Sequence, residues 1–457
     1  MIDQEHSGNA MKSPMRALIL LLLLAQFALA LQYSFRNPLG EAPDEADHWA
    51  YVVQLATART LPVGPTLTQA KHPPLYYMGA ALFAALDEPA IDFFRPNPAV
   101  NLASGAGYSP NFFQHGAAEA PPWEGPLRAY HLARLWSVLL GTLTLAATAT
   151  LARVALPRLP LLPIVAVALL GFMPEFLFLS GSVTNDMGAA CWGALALWGG
   201  LRIYRSGGRM QGAWWTSLAL AAGFLSKASS VALWPVVAAA IALGALTVAP
   251  RGQRWAWITW RRMIATGIAI FLPALLLVLP WLLRNLRLYG DVMGMRMARQ
   301  TIDQRTTPWT GADTLWLLRG WFISFWGKFG GAGHIAMAGW LYGVLAALTL
   351  LALLGLLLLW LRSGWQAARW PLLLLAGAAG AVALAMARYS LIALGTDQGR
   401  LLYPAAAAIA ILLAAGWLEA GNRLRRARVV AGIIVVAAAA LGIYGLWGVI
   451  VPVLGST

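Results

Sequence analysis

Four carboxylates and a histidine fall within eight residues in Glu41-Ala-Pro-Asp44-Glu45-Ala-Asp47-His48. A helix starting at the proline would put Asp44 and His48 on one face, and Glu41 and Glu45 together likewise. Acids at a helix start also have a purely structural use, since they offset the positive end of the helix dipole. A carboxylate partly stripped of water beside a membrane can instead serve as a general base. Asp44 and Glu45 are therefore the candidate catalytic pair, with Asp47 and His48 in support. A second cluster, Lys71-His72-Pro-Pro-Leu-Tyr76-Tyr77, sets a cation and an imidazole at a proline turn, where they suit an anionic group. Tyr76 and Tyr77 follow as supporting residues. Further along stand Arg134, Lys227, Arg284, Lys328 and Arg400, each at the end of an apolar run or in the loop between two runs. Lone cations of this kind can simply reach for the membrane surface. Their repeated placement on one side suits phosphate, which arginine binds as a fork and lysine as a point charge. Asn185 and Asp186, in Ser182-Val-Thr-Asn185-Asp186, occupy a short turn on that same side, where Asn185 could equally be a helix cap. Asp44 and Asp186 are the foremost candidates for holding Mg²⁺ or Mn²⁺, with Glu45, Asp47 and His48 as further ligands. The surrounding cations could neutralise a phosphate without a metal.

Positioning these residues falls to apolar helices. Of 457 residues, 59% are apolar and only 11% charged, and the mean hydropathy is +0.65. So few charges cannot clothe a soluble surface. About eleven membrane spans are expected, near 17–35, 131–152, 160–180, 185–203, 213–227, 229–249, 263–283, 337–361, 371–393, 401–418 and 429–452. The net charge of +15 is then a matter of topology. With the N-terminus inside, every inner loop is basic, and no nucleic acid is needed to explain the charge. The first run ends in Ala28-Leu29-Ala30, which imitates a signal-peptide cleavage site, but the expectation is a retained helix. A single cysteine, Cys191, excludes a disulfide framework and a cysteine-based zinc site.

The expected organisation has five segments. Residues 1–35 hold the N-terminus and first span. Residues 36–130 form a long first extracytoplasmic loop, with helices expected at Pro43–Arg59 and, lying on the membrane, at Pro73–Leu86. Residues 131–283 carry spans two to seven. Residues 284–336 form a basic extracytoplasmic loop facing the acidic first one, and 337–457 carry the last four spans. Positive charge is normally scarce outside, so that second loop is the first functional clue.

In order and type these motifs resemble the GT-C superfamily of integral-membrane glycosyltransferases, which use polyprenyl-phosphate-linked sugars. The motifs are Pro43-Asp44-Glu45-Ala-Asp47-His48, His72-Pro-Pro-Leu-Tyr76-Tyr77, Ser182-Val-Thr-Asn185-Asp186, Arg284-Asn-Leu-Arg287-Leu-Tyr289-Gly-Asp291, Ser324-Phe-Trp-Gly-Lys328-Phe-Gly330 and Gln398-Gly-Arg400. Within the superfamily the likeness is strongest to a bacterial group of predicted membrane proteins catalogued as DUF2142. The Asp-Glu pair also resembles the acidic motif of protein O-mannosyltransferases and lipid A aminoarabinose transferases. The likeness runs from residue 43 to about 404. It implies an all-α polytopic bundle whose first outer loop bears the catalytic carboxylate. GT-C members often carry a soluble C-terminal domain, and none is visible in this chain.

The expected activity is transfer of a sugar from a lipid-phosphate donor to an acceptor hydroxyl, on the extracytoplasmic face of the cytoplasmic membrane. The resemblance implies inversion. Asp44 would be the base, ahead of Glu45. Some of Lys71, His72, Arg134, Lys227, Arg284, Lys328 and Arg400 would hold the phosphate. The partners are the lipid-linked donor, a glycan, lipid or protein acceptor, and the bilayer. Two other readings use the same charges: a transporter or flippase of an anionic lipid or solute, and an O-antigen-type polymerase or ligase.

Overall fold

The computed structural model describes residues 13–455 apart from 104–106, 211, 251, 253, 255 and 363–365, so the first twelve residues of the N-terminal segment lie outside it. Long apolar runs become helices because a backbone inside lipid must satisfy its own hydrogen bonds. In chain order the helices are α1 (Ser13–Arg36), α2 (Glu45–Thr57), α3 (Leu75–Ala84), α4 (Gly125–Ala155), α5 (Leu162–Gly171) and α6 (Pro174–Ser180). Then come α7 (Asp186–Arg205), α8 (Ala213–Ser226), α9 (Trp234–Val248), α10 (Trp257–Tyr289), α11 (Met295–Ala298) and α12 (Gly311–Trp326). The chain closes with α13 (Gly339–Leu361), α14 (Gln366–Ser390), α15 (Ala406–Arg423), α16 (Ala427–Tyr444) and α17 (Val451–Leu454). The one sheet among the described residues is a two-residue pairing of β1 (Lys328–Phe329) with β2 (Ile335–Ala336).

Among the described residues eight helices are long and apolar enough to cross a membrane, or nine if α5 and α6 form one span. Eleven spans are therefore not established. The run at 160–180 is broken: α5 and α6 meet at 65°. The run at 213–227 gives only the 14-residue α8. Helix α7 is 20 residues long and is buried along most of its length, at the centre of the bundle between α4, α8 and α9. By contrast α10 and α13 turn many leucines outward, such as Leu276 and Leu350, as a lipid-facing surface requires.

The long first loop and the 284–336 segment lie at one end of this bundle and touch each other. Lys71 donates to the Thr301 hydroxyl at 3.4 Å, and the Tyr289 hydroxyl accepts from the Gly64 N–H at 3.3 Å. Helix α2 starts later than expected, leaving Asp44 outside it as the residue that precedes the first turn. Helix α3 buries Tyr76, Tyr77 and Ala80 against the bundle while Met78 and Leu82 remain exposed. Helix α10 runs on to Tyr289, so the boundary expected at 284 falls inside it. The 284–336 segment also contains the apolar helix α12, which the charge pattern did not suggest.

Two glycines decide how close the site's elements come. A side-chain carbon at Gly193 would lie 2.1 Å from the Pro404 carbonyl oxygen. One at Gly399 would lie 2.3 Å from the Phe325 nitrogen. Only hydrogen fits at either place, and the 3₁₀ turn Gly399–Ala405 can therefore press against both α7 and α12.

Candidate active site

The two halves of the Asp-Glu pair have opposite surroundings. Asp44 takes a left-handed backbone conformation, φ 59°, which an aspartate tolerates better than most residues. Its side chain is 47% exposed. Glu45, the first residue of α2, is wholly buried. Both its oxygens meet Arg134 at 2.8 Å, and one also accepts the Val183 N–H at 2.8 Å. Arg134 spends its remaining donors on the carbonyls of Ser34, Asn37 and Pro38, at 2.7 to 3.0 Å. This guanidinium has no donor left for a phosphate, so the expected phosphate contact gives way to a structural clamp. The clamp joins α1, α2, α4 and the turn before α7. Glu41 lies outside α2 and does not share a helix face with Glu45. Its carboxylate accepts the N–H groups of Phe112 and Phe113 at 3.0 and 2.9 Å and meets His115 at 3.0 Å.

Around Asp44 a chain of charges is assembled from four distant segments. Arg400 donates to Asp44 at 2.6 Å through one terminal nitrogen and to Asp186 at 3.0 Å through the other. Its Nε donates to the Gln398 side chain at 2.6 Å. Lys227, in extended backbone where α8 ends, pairs with the second oxygen of Asp186. The Thr184 hydroxyl donates to Asp186 at 3.1 Å. Asp186 opens α7, so its charge also lies at the positive end of that helix. Two other expected residues here are structural: Asn185 donates to the Ser226 carbonyl at 3.3 Å, and the Tyr76 hydroxyl bonds Ser137 at 2.7 Å and accepts the Thr184 N–H at 2.8 Å.

His48, His72 and Lys71 also lie near Asp44. His48 Nδ1 and the Tyr77 hydroxyl are 2.7 Å apart, and the two imidazole rings are separated by 6.1 Å. Burial holds His48 down at about 3 and His72 well below the usual range, so both rings are neutral at pH 7. Burial also lowers the Lys71 ammonium, against the pull of Asp44 and Asp47. For Asp44 burial pushes upward, but Arg400 and Lys71 outweigh it and hold the carboxyl at about 2. Desolvation alone would have made Asp44 a stronger base than usual; with Arg400 in place it is a firmly ionised carboxylate.

The remaining cations are more scattered. Arg284 stacks on Trp281 at 4.9 Å and donates to the Pro62 carbonyl at 2.5 Å. Its other terminal nitrogen is buried without a hydrogen-bond partner among the described residues. Tyr51 lies between it and the site: its hydroxyl donates to the His72 carbonyl at 3.4 Å and its ring stacks on Tyr77 at 4.0 Å. Lys328 lies further off, in β1, where its backbone N–H donates to Glu175 at 2.9 Å. Asp47 is exposed on α2.

Sequence reasoning missed Glu175, a buried acid at the start of α6. A lone carboxylate in the middle of an apolar run was the signal that could have found it. Gln398 and Thr184, which orient Arg400 and Asp186, carried no such signal. As for a metal, the oxygens of Asp44 and Asp186 face Arg400 and Lys227. Among the described residues no three His, Cys, Asp or Glu side chains gather to hold an ion. In this arrangement the candidate residues do not fit Mg²⁺ or Mn²⁺.

No family model matches the chain, and no curated protein does. Solved structures do match over nearly its whole length. ArnT from Cupriavidus metallidurans, bound to undecaprenyl phosphate, superposes with a TM-score of 0.56 at 14% identity, covering 98% of this chain and 77% of that one. The Archaeoglobus fulgidus oligosaccharyltransferase, tethered to an acceptor peptide, matches with a TM-score of 0.52 at 15% identity, covering 94% of this chain. This chain shares their fold. It spans about half the oligosaccharyltransferase, 54% of that chain. The all-α polytopic bundle expected from the sequence is thus the architecture found, in a helical membrane protein.

Proposed function

We propose that the protein transfers a sugar from a polyprenyl-phosphate donor to an acceptor hydroxyl at the end of the bundle that carries Asp44. The observation that carries this reading is one half-exposed carboxylate set among three cations, Arg400, Lys227 and Lys71, drawn from three segments. Asp44 accepts the proton of the acceptor hydroxyl, the acceptor oxygen bonds the anomeric carbon, and the carbon–phosphate oxygen bond breaks. The electron pair leaves with the lipid phosphate, and a single displacement inverts the anomeric carbon. Arg400, Lys227 and Lys71 stabilise the growing phosphate charge. Arg284 lines a groove of about 350 Å³ on α10 together with Leu276, Leu279, Pro280, Leu283 and Arg287, a mix of apolar and cationic groups that suits a prenyl tail and its phosphate. The solved neighbours support the reading through what they hold: a prenyl phosphate in ArnT and an acceptor peptide in the oligosaccharyltransferase.

The basic loops away from the site support a cytoplasmic placement of that end, and with it a site opening outside the cytoplasmic membrane, where lipid-linked sugars replace nucleotide sugars. Membership of the DUF2142 group belongs to the same reading and rests on the motifs alone. One observation favours a transporter instead: the broken pair α5–α6 with a buried acid at the break. The test is to supply the purified protein in vesicles with a panel of polyprenyl-phosphate sugars and acceptors. Release of polyprenyl phosphate that stops with Asp44→Asn supports the transferase. Movement of the labelled lipid across the bilayer without sugar transfer would replace it with the flippase.

A further inference from the structure

Arg400 is held unequally at its two ends. The Asp186 end is closed: that carboxylate is fully buried, at the head of α7, and shared with Lys227 and Thr184. The Asp44 end is open, because the Asp44 side chain is 47% exposed while Arg400 itself is only 7% exposed. An anion approaching from outside therefore meets Asp44 first, and can reach the guanidinium only by taking the place of that carboxylate.

Charge conservation in the transfer makes this exchange useful. A sugar phosphodiester carries one negative charge, whereas the free lipid phosphate carries between about 1.5 and 2 at pH 7. As the phosphate gains charge, Asp44 loses its own by taking the acceptor proton. The negative charge that Arg400 must face thus moves from Asp44 to the phosphate during the reaction. Resting on the transferase reading, we propose that Arg400 changes partners: it neutralises Asp44 at rest and passes to the donor phosphate, with Asp186 as the pivot. Two consequences follow for the mechanism. Asp44 becomes a stronger base only once a donor has drawn Arg400 away, since Lys71 is then the one cation left to work against burial at its carboxyl. Asp186 is a positioning residue, which keeps the guanidinium within reach of both partners.

The exchange predicts that Asp44 competes with the lipid phosphate for Arg400. Undecaprenyl phosphate binding is measured on the full chain in nanodiscs, with uncharged undecaprenol as the control for the tail. Asp44→Asn keeps the size and the left-handed backbone but releases Arg400. It should transfer sugar roughly 10²–10⁴-fold more slowly yet bind undecaprenyl phosphate about fivefold more tightly than the wild type, the scale of one partly exposed ion pair. The gain should vanish in the double variant Asp44→Asn/Arg400→Ala, which closes a double-mutant cycle. Equal or weaker binding by an Asn variant that melts like the wild type would overturn the exchange while leaving the transferase reading standing. Should the Asn variant fail to fold, Asp44→Gly, which suits φ 59°, replaces it with the same expected gain. If neither the wild type nor the variants bind undecaprenyl phosphate, the transferase reading falls and the exchange with it.

Discussion

Asp44 and Glu45 are neighbours in the chain, both ion-paired to an arginine, and their surroundings are opposite. Glu45 and Arg134 are both wholly buried, and every donor of that guanidinium ends on protein oxygen. Asp44 is half-exposed where it meets the buried Arg400, and Arg400 divides its donors between two carboxylates and Gln398. One residue of backbone separates them. The left-handed turn at Asp44 sends its side chain to the open side, while the first turn of α2 sends Glu45 into the bundle. An ion pair closed on all sides has nothing to exchange and can only hold structure. One with an open side can trade partners. The surroundings of a charge, more than its type, separate a closed clamp from an exposed pair in this molecule.

The contrast can be broken at either pair. The largest expected effect is on turnover: Asp44→Asn should lower sugar transfer by roughly 10²–10⁴ while the melting temperature changes little. Glu45→Ala should do the reverse. Leaving Arg134 buried without its partner should cost about 3–5 kcal/mol of stability, read in a denaturation series. Whatever activity remains should track the folded fraction. A Glu45 variant that melts normally but is inactive would move the role of base from Asp44 to Glu45.

A smaller effect sharpens the comparison. Arg400→Lys keeps the charge but loses the fork that spans Asp44 and Asp186, so transfer should fall about tenfold. The matching Arg134→Lys should show itself as lost stability. The smallest effect concerns pH and a third group, Glu41–His115–Glu119. Burial works against the His115 charge, but Glu119 and Glu41 prevail and raise it to about 9. A histidine raised on folding adds stability fully below its unfolded value near 6.5 and loses it as pH rises through 9. The wild type should therefore weaken by about 1 kcal/mol between pH 7 and 10. His115→Gln should remove that slope. Asp44 has the opposite sign: its pair with Arg400 contributes above its unfolded value near 4 and fades as pH falls towards 2.

Much of the helical framework could be read locally. Apolar runs such as 337–361 and 429–452 became helices, because each satisfies its own backbone whatever lies beside it. The break between α5 and α6 was hidden, since Phe172-Met173-Pro174 is as apolar as its flanks and Pro174 suits a helix start as well as a kink. In the site, the Asp-Glu pair and the cations at span ends stood out because charge is rare in so apolar a chain. Their division of labour did not stand out. Arg134 and Arg400 have equally plain sequence contexts, yet one is a clamp and the other faces an exposed carboxylate. Glu41 and Glu45 were expected to share a helix face, until the late start of α2 put Glu41 on the loop instead.

By itself, the sequence determined that this chain is a bundle of apolar helices with basic loops, and that its few charges gather towards particular helix ends. Hydropathy and charge act residue by residue, so their sum along the chain suffices. Only the tertiary structure decided which charges meet. Arg400 lies 356 positions from Asp44 and 214 from Asp186, and it reaches both because Gly193 and Gly399 let its turn press against α7 and α12. Ion pairing depends on distances of a few ångströms between side chains. Packing of the whole bundle sets those distances, and no local pattern of residues contains them.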